Sequence, residues 1–553
     1  MKKYFQYSIA LCLTLVFSVS CTKDFLDIEP QDRLTADNFY KNEAQIKSAT
    51  ASLYGLPWFD FDDKFFWLAG DVLSGNMYYT YDQEGQFFFA SYNAGNAHLS
   101  TGWKGLFRVV SYANSIINDM PAAAAGNVSD AVIAEAVGEA RFIRGVAYYM
   151  LSEYWGEVPI VENSTELVAA NQLQLPKNTR SSVYEFVRRD LTFAAENLPA
   201  SSIPGRVDQW AAKGMLAKLY LTMAQNLSDG KSAENFTAAK NLAEEVISGS
   251  GHSLLTNYAD LFKIDNNNNS ESLFALQWME GSYAVGNSRQ ANWARSSLIT
   301  GNSECWGGGK SASYDFVQSI ESGDKRRASI FMASGDYYPE INKSTGGYTY
   351  HIVRRDPADP GRSLEDPAPV LNNIKKYIVG SAEDTGGRVS TGQATAINQY
   401  VLRLADVYLI YAEAALGAGT STSDSKALQY FNAIRGRAGL PALSSITFTD
   451  ILKERRVEFG MESSFWFDVK RYYYRDPAAA LAFLNGQERE ITYTRITTPN
   501  APDENTVAGY QIVPPVSPIV ITDSRMFMPI PAAEVVTNAL LAPGAPAVEY
   551  DFK

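Results

Sequence analysis

The chain has 553 residues, 61 acidic against 48 basic, and a formal net charge of −13. Phosphate binding is driven by clustered Lys and Arg, and no such cluster occurs along this sequence, which argues against nucleic acid as a partner. The aromatic content is high, with 32 Tyr, 28 Phe and 9 Trp, and many of these fall outside the helical patterns where a core would need them.

At the N-terminus, Lys2 and Lys3 precede an apolar run from Ile9 to Val19, and the small residues Ser18 and Ser20 stand just before Cys21. This is the pattern of a secretory signal segment, residues 1–20. The run is about half the ~20 residues a spanning helix needs, and no comparable run follows. A cysteine at the cleavage point is the diacylglyceryl acceptor of bacterial lipoproteins, so Cys21 is expected to be lipidated. Two or three acyl chains hold a protein to a membrane where a single myristoyl chain would not. Thr22, Lys23 and Asp24 form a charged start that looks like the surface-export signal of some Gram-negative lipoproteins. Cys12 leaves with the signal, which isolates Cys305, so no internal disulfide forms and stability falls to a large core.

Residues 21–56 are expected to hold the lipidated start and a first helix, followed by an aromatic loop region over 57–102. A helical scaffold is predicted over 103–264. Within it, Ile143, Ala147, Met150 and Tyr154 share one face of a helix over 140–155 that stops at Gly156. Ser182 and Glu185 form a capping-box pattern before Val183, Val187, Leu191, Ala194 and Leu198. Trp210, Gly214, Ala217 and Leu221 make the next stripe, with Trp210 and Trp103 assigned to the core. An irregular ligand-binding insertion is expected over 265–395, because its Gly, Asn and Pro content breaks periodicity while its aromatics argue against disorder. The scaffold resumes over 396–475, with helices at 402–416, 427–437 and 451–461, before an irregular C-terminal part over 476–553. The fold class is therefore mainly α: a tetratricopeptide-like helical-hairpin scaffold with a large irregular, loop-rich part.

The chemistry of common catalysts is missing from the pattern. The three histidines, His98, His252 and His351, are far apart, and there is no HExxH, Cys/His cluster, Walker loop or GxSxG elbow. Glu454, Glu458 and Glu462 fall on one helical face, but Lys453, Arg455 and Arg456 interleave with them, which favours an ion-paired surface or interface over a glycosidase carboxylate pair. The run Asp265 to Asn269 offers oxygen ligands for calcium but lacks the Gly and bidentate Glu of an EF-hand loop, so a solvated turn is expected and no cofactor is assigned.

Six blocks then carry a family resemblance. Cys21-Thr22-Lys23-Asp24-Phe25-Leu26-Asp27 is followed by the segments 103–121, 139–161, 402–439, 451–471 and 527–538, all in order. Together they resemble the SusD/RagB lipoproteins of the outer membrane. One departure is Ser464-Phe465-Trp466-Phe467-Asp468, where the family carries Gly-Arg-Trp-Phe-Asp. The resemblance implies a tetratricopeptide-containing scaffold, an irregular ligand-binding half, and a SusC-like TonB-dependent transporter on which the protein sits as a lid. It also implies capture of an oligosaccharide or polysaccharide without catalysis. Sugar recognition asks for aromatic faces edged by amides and carboxylates. Two clusters supply them: Trp67, Asp71, Asn76, Tyr78, Tyr79 and Tyr81, then Trp278, Tyr283, Asn287, Trp293, Asn302 and Trp306, with Trp293 and Trp306 expected to be most exposed. A peptide- or glycoprotein-binding lipoprotein of the same type, a structural lid and a glycoside hydrolase are the alternatives.

Overall fold

The computed structural model describes residues 39–516 and 518–552. Cys21 and the signal, lipidation and export expectations lie outside the described residues. Eleven helices organise the rest of this description: α1 (Glu43–Ala51), α2 (Ala97–Ala124), α3 (Asp130–Trp155), α4 (Arg180–Asn197), α5 (Gln209–Asn226), α6 (Ser232–Gly249), α7 (Leu404–Leu416), α8 (Ser425–Ala438), α9 (Phe448–Glu458), α10 (Phe465–Arg475) and α11 (Pro477–Asn485). Each helix from α2 to α7 packs on its successor, so the scaffold is a row of helical hairpins. The fold is mainly α and tetratricopeptide-like.

Small residues set the spacing of this row. A Cβ on Gly145 of α3 would lie 3.2 Å from Leu191 of α4, and one on Gly214 of α5 would lie 2.8 Å from Leu402. The α3 helix ends where expected, at Gly156, whose φ of +78° suits glycine and whose α-carbon faces the Phe527 ring. Two expected boundaries shift. The cap of α4 is Thr179, which accepts from the Ser182 amide, while Glu185 instead pairs with Arg188 and Arg189. The helix expected from 402 begins at Leu404, because Gln399–Arg403 forms an antiparallel ribbon with Ser272–Leu276. That ribbon ties the two ends of the long insertion between α6 and α7. Among the described residues, strands occur only in such two-stranded ribbons.

The segment 57–102, expected as an aromatic loop, is built largely of short helical turns with inward-facing rings. Phe65 stacks on Trp155 at 5.1 Å and meets Tyr154 at 5.0 Å, so these aromatics complete the scaffold core. Trp103 is buried as expected, whereas Trp210 is only partly buried and donates to the Ala200 carbonyl at 2.9 Å.

Glu454, Glu458 and Glu462 do not face solvent; all three are buried between scaffold and insertion. Their partners come from elsewhere in the chain. Arg326 donates to Glu454 and Glu458 at 2.6 and 2.9 Å, Arg403 to Glu458 and Glu462 at 2.8 and 2.7 Å, and Lys376 to Glu462 at 3.1 Å. The interleaved Arg455 and Arg456 turn away to Asp468 and Asp315. At the departure from the family pattern, Phe465 is buried against Phe483 with the Arg456 guanidinium 5.7 Å from its ring.

Lys470 of α10 is buried with its ammonium against the Glu153 carbonyl and 3.7 Å from the centroid of Phe527. Burial pulls its pKa down to about 7. The unfolded chain keeps the ordinary lysine value of about 10.4, so between about pH 7 and 10 it holds a proton that the folded chain has shed, and stability rises with pH over that window. Chemical denaturation at pH 7 and pH 9 should show this gain, of order 1–2 kcal/mol, and Lys470→Met should flatten it; an unchanged slope in the variant would contradict the assignment.

Candidate functional site

The structure separates the expected ligand residues into two groups. Trp67, Trp293 and Trp278 are buried, contrary to expectation for Trp293 in particular. Trp67 and Trp293 meet edge to face at 6.3 Å, and the Trp67 indole donates to the Asp63 carbonyl at 2.7 Å, so their large apolar rings are fully used in packing. Asp71 and Asn76 are also buried. Asp71 accepts from the Met461 and Ser463 amides at 3.0 and 2.8 Å, and burial raises its pKa to about 6. Asn76 accepts from Arg456 at 2.9 Å, and Asn287 donates to the Ile397 carbonyl at 3.0 Å. Tyr78 packs on Phe88 at 5.1 Å, and Asn302 accepts through its carbonyl from Cys305. These residues support the site from behind.

Tyr79 is buried as well, and three of the expected aromatics face water: Tyr81 is 73% exposed, Trp306 57% and Tyr283 39%. One continuous set of contacts links the segments that carry them. The Tyr283 hydroxyl donates to Asp63 at 2.5 Å, and Ser288 donates to the other oxygen of the same carboxylate at 2.5 Å. Asn292 donates to Ser288 and accepts from Lys64 at 2.7 Å, and Lys64 also donates to Glu84 at 2.9 Å. Glu84 lies beside the Tyr79 hydroxyl, two residues from Tyr81. Lys310 closes the set, with its ammonium 4.2 Å from the Tyr79 ring centroid and donating to the Trp306 carbonyl at 3.0 Å.

A second tie joins the loop that carries Trp306 to Tyr283 through the turn at residues 392–393. Glu304 accepts from the Gly392 and Gln393 amides at 3.0 and 2.8 Å. Both residues have positive φ, +82° and +58°, so their N–H groups converge on the carboxylate as an anion-binding nest. A Cβ on Gly392 would in turn lie 3.5 Å from the Tyr283 amide nitrogen. Glu304→Gln should therefore loosen the 304–306 loop and weaken ligand binding about 5- to 20-fold, from the loss of one charge-assisted hydrogen bond. Titration of the variant, with its melting midpoint measured alongside, checks this; full affinity would remove Glu304 from the account.

Electrostatically the site is balanced. Burial opposes ionisation of Glu84, but the Lys64 ammonium holds its carboxyl below the usual range. Burial, with Lys64 nearby, pulls Lys310 down to about 8. Burial raises Asp63 against the bonds from Ser288 and Tyr283. Among the described residues, no group of three His, Cys, Asp or Glu could hold a metal ion. The Asp265 to Asn269 run is tied up locally: Arg388 pairs with Asp265, and Asn267 and Asn269 donate to the Ala396 carbonyl and the Tyr400 hydroxyl at 2.7 and 2.6 Å. Sequence reasoning missed Lys64, Glu84, Asn292, Glu304 and Lys310, since no periodicity connects residues from four separate segments. The arrangement offers exposed ring faces edged by hydroxyl, ammonium and carboxylate groups.

Comparisons with known proteins bear on what such a surface holds. A family model described as SusD family matches residues 224–543, and one described as starch-binding associating with outer membrane matches residues 24–221. A SusD-like protein of Bacteroides ovatus is 34% identical over 565 residues, covering 98% of each chain. The starch-binding protein SusD of Bacteroides thetaiotaomicron is 27% identical over 148 residues, 26% of this chain and 25% of that one. A solved chain described as a crystal structure with xylogluco-oligosaccharide is 34% identical, with a TM-score of 0.81 over 92% of this chain and 99% of that one. A laminarin-binding SusD-like protein is 20% identical with a TM-score of 0.66 over 90% and 98%, which shows a shared fold.

Proposed function

This chain belongs to the SusD family, and from that premise we propose that it captures a neutral oligosaccharide or polysaccharide on the Tyr81, Tyr283 and Trp306 surface without cleaving it. The observation that carries this reading is the exposure of these three rings on segments joined by one set of hydrogen bonds and a cation–ring contact. Ring faces stack on the apolar side of a pyranose, and the partly exposed Lys64 and Glu84 offer hydrogen bonds at its edge. The relative seen with xylogluco-oligosaccharide supports the same ligand class.

A neutral glycan fits the charge balance better than an acidic one. Lys64 is already compensated by Glu84, and Lys310 faces a ring and a carbonyl. Asp63, Asp82 and Glu304 add negative charge to the same segments. Asp63 and Glu84, the two carboxylates within this set of contacts, are each engaged by hydrogen bonds, which favours binding over acid–base chemistry. Calorimetric titration should give binding of a neutral xylogluco-oligosaccharide and none of a uronic-acid oligomer of equal length. The reverse order would overturn the neutral-glycan reading.

The delivery step is part of the proposal. The lipidation pattern at Cys21 supports anchoring to the outer membrane, and the family resemblance supports hand-over to a SusC-like TonB-dependent transporter. No helix among the described residues is long and apolar enough to cross a membrane. Cys21→Ala should move the protein from the membrane pellet to the soluble fraction.

A further inference from the structure

A hairpin in the insertion pairs Tyr337 with Thr349 and Tyr338 with Tyr348. Its turn uses left-handed backbone at Asn342, Gly346 and Gly347, with φ of +55°, +92° and +97°. A Cβ on Gly347 would come within 2.6 Å of the Tyr337 ring, so glycine is what lets the ring rest against the turn. The Tyr337 hydroxyl donates to the Gly346 carbonyl at 2.7 Å. The ring is thus fixed from behind, yet it is 56% exposed. It contributes little to the core and has already lost its rotamer freedom, which lowers the entropic cost of using it as a contact surface.

Beside it lies a cleft of about 550 Å³, lined by Asn342, Gly347, Thr349, His351, Arg354 and Asn505. Gly347, against which the Tyr337 ring rests, lines this cleft, so the ring stands at its border. Tyr348, one residue out of phase, turns inward and donates to Glu365 at 3.0 Å. The cleft connects to the first site through a short path. Asn342 donates to the Leu298 carbonyl at 2.8 Å, the helix Ser297–Thr300 follows, and the Thr300 hydroxyl sits 3.1 Å from the sulfur of Cys305, next to Trp306.

We infer that the Tyr337 cleft is a second sugar-contact site, taking a further unit of a long glycan whose other end lies on Trp306. The inference rests on the glycan reading of the first site. It combines a fixed, exposed ring with the hydroxyl, amide and imidazole groups of Thr349, Asn342, Asn505 and His351. Two linked contacts of this kind raise the affinity for a polymer well beyond that for a short oligomer.

The experiment compares a short xylogluco-oligosaccharide, by titration, with the long xyloglucan polymer, by affinity electrophoresis. Tyr337→Ala should bind the short ligand within about twofold of the unsubstituted protein and the polymer about tenfold more weakly. Tyr337→Phe, which keeps the ring, should stay near the unsubstituted protein on both. Thr349→Tyr keeps a strand-favouring residue and fills the cleft, so it should reproduce the polymer loss if the alanine variant fails to fold. Full polymer affinity in both Tyr337→Ala and Thr349→Tyr, with Trp306→Ala alone impaired, would overturn this inference and leave the first site standing. No binding of either ligand by the unsubstituted protein would overturn both.

Discussion

Trp306→Ala should weaken glycan binding about 30- to 100-fold, equivalent to roughly 2–3 kcal/mol for a central aromatic contact. The side chain is held at its backbone by the Ala291 carbonyl, 2.7 Å from its amide, and by Lys310 on its own carbonyl, while the indole projects into water. Truncation therefore removes contact area with little effect on the fold. Trp306→Phe should retain part of the affinity, because a smaller ring still stacks. Trp293→Ala behaves in the opposite way. Trp293 is fully buried against Trp67 and Tyr377, so its loss should cost about 3–5 kcal/mol of stability. Titration and thermal melting of the two variants separate these roles; equal loss of affinity at unchanged stability for Trp293→Ala would contradict the placement of that ring.

Arg403→Met should destabilise the protein by about 3–5 kcal/mol, the usual cost of removing one partner from a buried charge cluster. Arg403 ends the ribbon that closes the insertion, and it reaches three carboxylates: Glu271 at 2.7 Å, Glu458 at 2.8 Å and Glu462 at 2.7 Å. Arg437 also bonds Glu271 and Glu458, at 2.6 and 2.5 Å, and Arg326 bonds Glu458, so the cluster joins α8, α9 and the insertion. These cations hold Glu458 well below the ordinary carboxylate range against the burial that opposes its ionisation. Its stabilising share is therefore present above the unfolded value near 4.3 and fades as acid protonates the group. Denaturant unfolding of Arg403→Met at pH 7 measures the loss, and a change below about 1 kcal/mol would mean the cluster does not hold the insertion.

Much of the scaffold was legible because helical periodicity survives in α3, α5 and α7 even where their ends moved. The 402–416 pattern shows the limit: its first residues satisfy helical spacing, but the ribbon with Ser272–Leu276 claims them, a long-range pairing invisible to local sequence. The aromatic clusters were harder to read. Trp67 and Trp293 sit in Gly- and Asn-rich surroundings that suggest loops, yet the fold draws them together from 226 positions apart into an edge-to-face pair. Burial of large rings outweighs the polarity of their neighbours. Trp306 escapes this because Gly307, Gly308 and Gly309 follow it, and a Cβ at Gly307 would strike the Trp293 backbone at 2.2 Å, so the chain there is committed to backbone packing while the indole turns outward. Glu304 could be recognised only once Gly392 and Gln393 were seen beside it.

The most direct test is affinity electrophoresis of the soluble form lacking Cys21 against a panel of neutral and acidic polysaccharides, with Trp306→Ala run in parallel and the glycans checked afterwards for cleavage. The account predicts retardation by a neutral glycan, its loss in the variant, and an uncut polymer. Retardation that survives Trp306→Ala, or release of shorter sugars, would contradict it.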